Sequence, residues 1–361
     1  MDKLKRAREI IDRVDGEMAR LFEERMVAAQ LVAEYKSERG LEILDKRRED
    51  EVIRRGAARI ENEEIRSYYV NFLEDVMRVS RSYQSRLMEG MRVAYCGTEG
   101  AFAHIATMRL FPSARKMAYG TFEDAYNSVV SGECEVAVLP VENSYNGEVG
   151  QVTDLMFQGS LYLNGMTELA VSQDLLVVPG ATASDIKEVV SHPQALGQCA
   201  DYIKEHGYIA SEYSNTALAA RYVSERGDRS VAAIASAEAA DIFGLEVLAK
   251  NINSSRSNTT KFAIFSRTPC YRAPTERGVH TVLLFTVRHE AGALARAIEI
   301  IGNHGFNMQS LRSRPMKELL WQYYFYVEAE GNLETEEGKA MMRELGEHCD
   351  RLRAVGSFVK I

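Results

Sequence analysis

The chain of 361 residues is poor in cysteine, proline, histidine and tryptophan: 5, 7, 7 and 1 residues respectively. The cysteines (96, 134, 199, 270 and 349) are scattered, with no CxxC or Cys/His spacing. Disulfide staples and structural zinc are therefore excluded as organising devices, and a reducing cytoplasm is the expected compartment. The histidines form no HExxH pattern, so metal catalysis has no motif behind it. No run of eighteen apolar residues exists to span a membrane. The opening "MDKLKRAREIIDRVDGE" mixes charges where a signal peptide needs an apolar segment. Positive charge is not in excess: the net charge of -8 argues against nucleic-acid partners. No GxGxxG follows a strand, which removes the usual nicotinamide fingerprint.

Proline is absent from the first ninety residues, and glycine stands there only at 16, 40, 56 and 90. Helical periodicity runs from about Leu4 to Tyr35, from Asp45 to Ile60 and from Glu64 to Met88, predicting three helices. The first carries an apolar stripe at Leu4, Ala7, Ile11, Val14, Met18, Leu21, Ala28, Val32 and Tyr35, interrupted by Arg25. Lys36 lies eleven residues after Arg25, on nearly the same face and ~16 Å along the axis, so two long cations converge on one anion. Arg8 lies ~25 Å before Arg25 and reaches that anion only from another chain. Asp45, Arg48 and Glu49 share one helix face, as do Ser80 and Gln84.

In order and spacing, Arg8, Arg25, Lys36, Asp45, Arg48, Glu49 and Gln84 resemble the all-helical class of chorismate mutase over residues 1–90. The resemblance implies an intertwined dimer and a cofactor-free rearrangement of chorismate to prephenate. Arg25 and a partner's Arg8 would clamp carboxylates. Lys36 and Gln84 would bond the ether oxygen. Asp45 and Glu49 would hold the hydroxyl end, and Arg48 would complete the cationic wall.

From Met91 short apolar strands alternate with helical patterns, predicting an α/β domain to about residue 268. Polar residues follow its strands in "LPVENSYNGEVGQVTD" (139–154), "VVSHPQALGQCA" (189–200) and "NSSRSNTTKFAIFS" (253–266). Such strand ends are where α/β sheets bind ligands. Taken singly, Ser-His-Pro reads equally well as a capped helix start. Together the stretches resemble the prephenate dehydratase signature "VPIENS", "HPQALxQC" and "NxTRF", with "CGTEGAFAHIA" resembling its glycine loop.

That resemblance implies a two-lobed, periplasmic-binding-protein-like fold, the chain leaving the first lobe near Gly165 and returning near Asn253. Thr260 would assist the leaving hydroxide, with Glu142, Asn143, Ser191, Gln198 and Cys199 lining the cleft. Lys261 replaces the motif's arginine, which predicts weaker grip on a substrate carboxylate.

After a turn-rich stretch, 269–278, the order strand–helix–strand–strand–helix–strand over 279–361 is the ferredoxin-like βαββαβ unit. "GALARAI" and "LRSRP" resemble the ACT domain. This implies phenylalanine binding at Gly292, Ala293, Leu294, Asn307, Arg312, Ser313, Arg314 and Pro315, with Arg312 standing where the related motif has glutamate. The combined resemblance is to bifunctional chorismate mutase–prephenate dehydratases, as a cytoplasmic homodimer or larger homo-oligomer without cofactor. The residues alone also allow a metabolite sensor whose cleft binds without chemistry, or a mutase paired with another prephenate-using activity.

Overall fold

The computed structural model describes residues 2–254, 258–316 and 322–361. They form two compact units, Met1–Arg92 with Ser113–Arg115, and Val93–Pro112 with Lys116–Ile361.

The first unit consists of α1 (Lys3–Arg39), α2 (Lys46–Ala57) and α3 (Glu63–Glu89). Side-chain oxygens of Asp2, Asp45 and Asn62 cap the three N-termini, each accepting a backbone N–H at 2.9–3.1 Å. Gly40 ends α1 in the left-handed region that a C-terminal cap requires. α1 and α2 both pack on α3, and a Cβ at Gly56 would stand 2.3 Å from Leu73 Cδ1. The core is thin: its buried apolar side chains are Ala29, Ala33 and Met77. Leu4, Ile11, Val14, Met18, Leu21 and Tyr35 remain exposed along α1, so most of its stripe has no cover among the described residues.

The second unit opens with β1 (Arg92–Cys96), α4 (Phe102–Leu110), β2 (Arg115–Tyr119), α5 (Phe122–Ser131), β3 (Val136–Asn143), β4 (Gly147–Glu148), α6 (Gly150–Gln158) and β5 (Tyr162–Ala170). The chain then builds a second lobe. It comprises β6 (Asp174–Val177), β7 (Glu188–Ser191), α7 (Pro193–Gln198), α8 (Ala200–His206), β8 (Ile209–Glu212), α9 (Thr216–Arg226), β9 (Val231–Ala235), α10 (Ala237–Phe243) and β10 (Glu246–Ala249). β11 (Thr259–Ser266) returns to the first sheet, whose order is β2-β1-β3-β11-β5 with β4 beside β3. The second sheet is ordered β10-β6-β9-β7-β8.

The exit from the first lobe differs from the sequence expectation, whereas Asn253 does lie on the return between β10 and β11. Gly165 lies within β5, which pairs with β11 along its length from Thr259↔Ala170 onward. The stretch "ELAVSQDLLVVPG" reads as one strand but is two, belonging to different sheets and broken at Val171–Gln173. The return reaches the first sheet at Asn258, part of it (255–257) lying outside the described residues. Polar bonds stitch the crossing: Ser172 Oγ donates to Asp174 and Asn251, and Asn253 Oδ1 accepts the Gln173 N–H at 3.1 Å. Asn251 holds a positive φ of 53° here, the left-handed conformation that asparagine tolerates. Two lobes joined by two crossing segments is a layout suited to hinge closure around a ligand.

The final elements are β12 (Val279–Val287), α11 (Ala293–Asn303), β13 (Asn307–Pro315), β14 (Tyr323–Glu330), α12 (Glu336–His348) and β15 (Cys349–Val359), in a sheet ordered β13-β14-β12-β15. The sequence places the third strand at 320–331, and its start at Leu320 and Trp321 lies outside the described residues. α11 and α12 cover one face through Phe285, Ala297, Ile301, Val327 and Met341. The opposite face shares a core with the first lobe, joining Val282, Leu284, Tyr324 and Phe358 to Leu139, Met156, Leu163 and Phe265. A Cβ at Gly356 would stand 2.0 Å from the Leu163 carbonyl oxygen, so the sheet and the lobe meet backbone to backbone. The turn-rich stretch 269–278 thus joins packed layers within one unit.

Candidate active sites

All three helices of the first unit wall a pocket of about 330 Å³. α1 supplies Arg25 and Lys36, α2 supplies Arg48 and Glu49 behind its cap Asp45, and α3 supplies Ser80, Arg81 and Gln84. Helical spacing explains the gathering: positions three, four or eleven apart share a face. The Arg25 guanidinium donates to Ser80 Oγ, which donates to the Val76 carbonyl. Lys36 Nζ donates to the Ile43 carbonyl at 2.6 Å. Desolvation lowers the pKa of Arg25 from its ordinary value, the signature of a cation drawn out of water.

The Gln84 side chain is buried, and its Oε1 lacks a hydrogen-bond partner among the described residues. With Arg25, Lys36 and Arg48 on its wall, the pocket can neutralise an anion and meet it with directed donors. Arg8 does not line it and lies on the exposed part of α1. Arg81, which pairs with Glu49, was not among the expected residues. Its spacing from Gln84, three positions, was the available signal.

In the second unit the expected residues divide by face. Asn143 ends β3, and its Nδ2 donates to Thr260 Oγ1 at 2.9 Å and to Asn258 Oδ1 at 2.7 Å. Asn258 in turn reaches Gln198 Oε1 of the second lobe at 3.5 Å. Asn143 Oδ1 accepts the Tyr145 and Asn146 N–H groups, which fixes its amide. This network joins both lobes, and Asn258 belongs to it although the sequence reading passed it over. The signal available was its place as the asparagine of "NTTKF". The glycine loop after β1 also meets the second lobe, with Gly100 against Phe243 and Ala217 at a φ of +82°.

Glu142 and Lys261 precede and follow Asn143 and Thr260 and point the other way. In register across β3 and β11, they form an ion pair at 3.1 Å on the face toward the C-terminal sheet. The expectation that they line the cleft is corrected: strand residues alternate faces. Ser191 is fully buried, donating to the Ile234 carbonyl at 2.5 Å. Cys199 sits in the second lobe's core, and burial, aided by Asp174, pushes its thiol up to about 12. Neither fronts the cleft. His192 caps α7, its Nδ1 accepting the Gln194 N–H, with Pro193 in the first turn.

At the start of α11, residues after β12 border a pocket of about 390 Å³ with Leu294, Tyr323, Phe325 and Asp350. Gly292 caps this helix at a φ of +83°. The Ala293 N–H is already taken by the Glu290 carbonyl. Asn307 begins β13 opposite Glu330, and Ser313 and Pro315 pair with Phe325 and Tyr323. Arg312 and Arg314 do not join the pocket. Arg312 pairs with Glu142 at 2.6 Å, and Arg314 bonds Asp154 at 3.1 Å beside Tyr324. Alternation along β13 directs both arginines at the first lobe.

The family model for prephenate dehydratase matches residues 93–270, and that for chorismate mutase type II matches residues 7–85. A bifunctional chorismate mutase/prephenate dehydratase from Aquifex aeolicus is 30% identical over 368 residues, covering 100% of this chain and 99% of that protein. Among solved structures, one described as a novel type of quorum-quenching acylase, GqqA, is 31% identical. It matches 75% of this chain and 98% of its own at a TM-score of 0.69. A prephenate dehydratase from Arthrobacter aurescens in complex with L-Phe is 25% identical over 75% of this chain and 90% of that one, with a TM-score of 0.67.

Proposed function

The chain belongs to the bifunctional chorismate mutase/prephenate dehydratase family, and from that premise we propose which of its residues carry each reaction. One activity rearranges chorismate to prephenate. The other expels water and carbon dioxide from prephenate to leave phenylpyruvate. The observation that carries the assignment of the first is the joint presence of Arg25, Lys36, Asp45, Arg48, Glu49, Ser80 and Gln84 around one pocket.

The mutase step needs no nucleophile. It needs a dicarboxylate held in its compact conformer and charge relief at the breaking ether bond. Arg25 binds a carboxylate, oriented by Ser80, while Lys36 and Gln84 donate to the ether oxygen. Asp45 and Glu49 take the hydroxyl end and Arg48 completes the wall. A second copy covers the exposed stripe of α1, because a 37-residue helix with one unpartnered apolar face has no other way to bury it. Arg8 of the partner subunit then supplies the second carboxylate clamp.

For the dehydratase, the C–C bond to the ring carboxylate breaks, carbon dioxide leaves and the bond's electron pair enters the ring, while Thr260 donates its proton to the departing hydroxide and is then reprotonated from solvent. Asn143 Nδ2 occupies an acceptor site of Thr260 Oγ1, which directs the O–H outward and strengthens it as a donor. Gln198 and Asn258 bridge the lobes around the substrate. The C-terminal βαββαβ layer acts as an ACT domain, with the pocket beside Gly292 and Leu294 receiving phenylalanine. The phenylalanine complex of the Arthrobacter aurescens enzyme supports that ligand. Five cysteines without a disulfide among them suit a cytoplasmic site of action.

The direct test supplies chorismate alone, without cofactor, to the purified chain. Phenylpyruvate is the expected product. Prephenate accumulating without it would overturn the assignment of the second unit, and unconsumed chorismate that of the first.

A further inference from the structure

Each carboxylate oxygen of Glu142 is held by a different cation. Lys261 Nζ, on the neighbouring strand of the same sheet, stands 3.1 Å from one, and Arg312 Nη2, on the C-terminal sheet, stands 2.6 Å from the other. Arg312 is also braced over the Tyr326 ring, 5.4 Å from its centroid. All three charged side chains are largely buried, between 22% and 27% exposed, so this clamp is shielded more than a surface bridge. The next pair along the same two strands is Asn143 and Thr260, bonded to each other and linked through Asn258 to Gln198 of the second lobe. One peptide link on each strand separates the clamp from the network at the lobe junction.

We infer that Arg312 is a positioning residue for the dehydratase: from the C-terminal sheet it holds Glu142, and through that strand sets the placement of Asn143 against Thr260. The inference rests on the reading of Thr260 and Asn143 as dehydratase residues. Physically, a misplacement of ~1 Å in an oriented site costs up to about 10²-fold in rate, and peptide planes transmit displacement between adjacent residues. The clamp also gives the two departures from the family motifs a common location. Arginine at 312 meets Glu142, where glutamate would have set two carboxylates face to face, and lysine at 261 takes the remaining oxygen.

The experiment measures turnover of prephenate by the full chain. Arg312→Gln is expected to lower dehydratase kcat about tenfold with KM within about twofold. Chorismate turnover should stay unchanged, and Arg312→Lys should recover at least about half of the loss. Glu142→Gln should reproduce the loss, and the double variant should be no worse than either single one, as coupling requires. The Glu142 variant also decides the matter if Arg312→Gln fails to fold. A merely structural role would lower Tm and leave kcat unmoved well below melting, and that result overturns the inference. Thr260→Ala is run in parallel. If it is inactive while Arg312→Gln is normal, the inference alone fails; if it retains full turnover, the site assignment falls and takes the inference with it.

Discussion

The helical pocket and the α/β cleft use sequence in opposite ways. In the helices, residues far apart in the chain reach one pocket: Arg25, Lys36, Glu49 and Gln84 come from three elements. In the α/β unit, residues side by side are parted: Glu142 from Asn143, and Thr260 from Lys261. A 3.6-residue period returns spaced positions to one face, whereas a period of two sends neighbours to opposite faces. A contiguous motif on a strand therefore marks two surfaces. Here the second surface meets the C-terminal sheet.

The largest effect expected is on the helical side. Arg25→Leu should reduce mutase turnover by about 10³-fold, with Tm held or raised because a desolvated cation is replaced by a side chain that completes the stripe. Unfolding of this variant, with Lys36→Ala still active, would show that Arg25 is structural. On the cleft side, Thr260→Ala should cost about 10²-fold in dehydratase kcat and leave mutase turnover alone. Equal loss of both activities would break the separation of the two sites.

Cys199→Ala tests the boundary between cleft and core. It should cost roughly 1–2 kcal/mol of stability with kcat preserved, since the thiol is enclosed and pushed up to about 12. In the native chain an alkylating reagent should label exposed Cys270 well before Cys199. Loss of kcat before loss of Tm in Cys199→Ala would return that residue to the cleft.

Smaller still is the pH signature of Glu142. Burial pushes its carboxyl up, but hydrogen bonds from Arg312 and Lys261 outweigh this and leave it below its ordinary value. A group depressed on folding stabilises the native state above its unfolded pKa and loses that contribution as pH falls through the folded value. Wild type should therefore exceed Glu142→Gln by up to about 1 kcal/mol at neutral pH, the gap closing below about pH 4. A gap independent of pH would dissociate stability from the ion pairs. Least of all is expected from Lys261→Arg: with its head on Glu142 rather than in the cleft, KM should shift less than about twofold. A clear fall in KM would restore the substrate contact that its motif position implies.

The helical site was readable because spacing on a helix converts directly into direction. Among the polar residues that line it, only Arg81 escaped, its charge lost among the many exposed arginines of that unit. The cleft was readable as motifs but not as faces. "LPVENS" and "NTTKF" name the strands, yet nothing in them says that Lys261 and Glu142 turn toward the C-terminal sheet. Cys199 and Ser191 share a stretch with Gln198, and only burial tells them apart. Val171–Gln173 looked like mid-strand because apolar residues continue on both sides, while strand direction there changes sheets.

By itself the sequence determined most of the elements, though not the break between β5 and β6, together with their order and the side-chain chemistry available, since periodicity, caps and residue type act locally. Tertiary structure decided what no local pattern contains. It chose which sheet each strand joins, which side of β3 and β11 meets the second lobe, and that Arg312 meets Glu142 instead of the pocket at α11. Those outcomes depend on pairings across more than a hundred residues, Glu142 with Arg312 and Asn143 with Thr260. Only packing the C-terminal sheet onto the first lobe brings the former pair together.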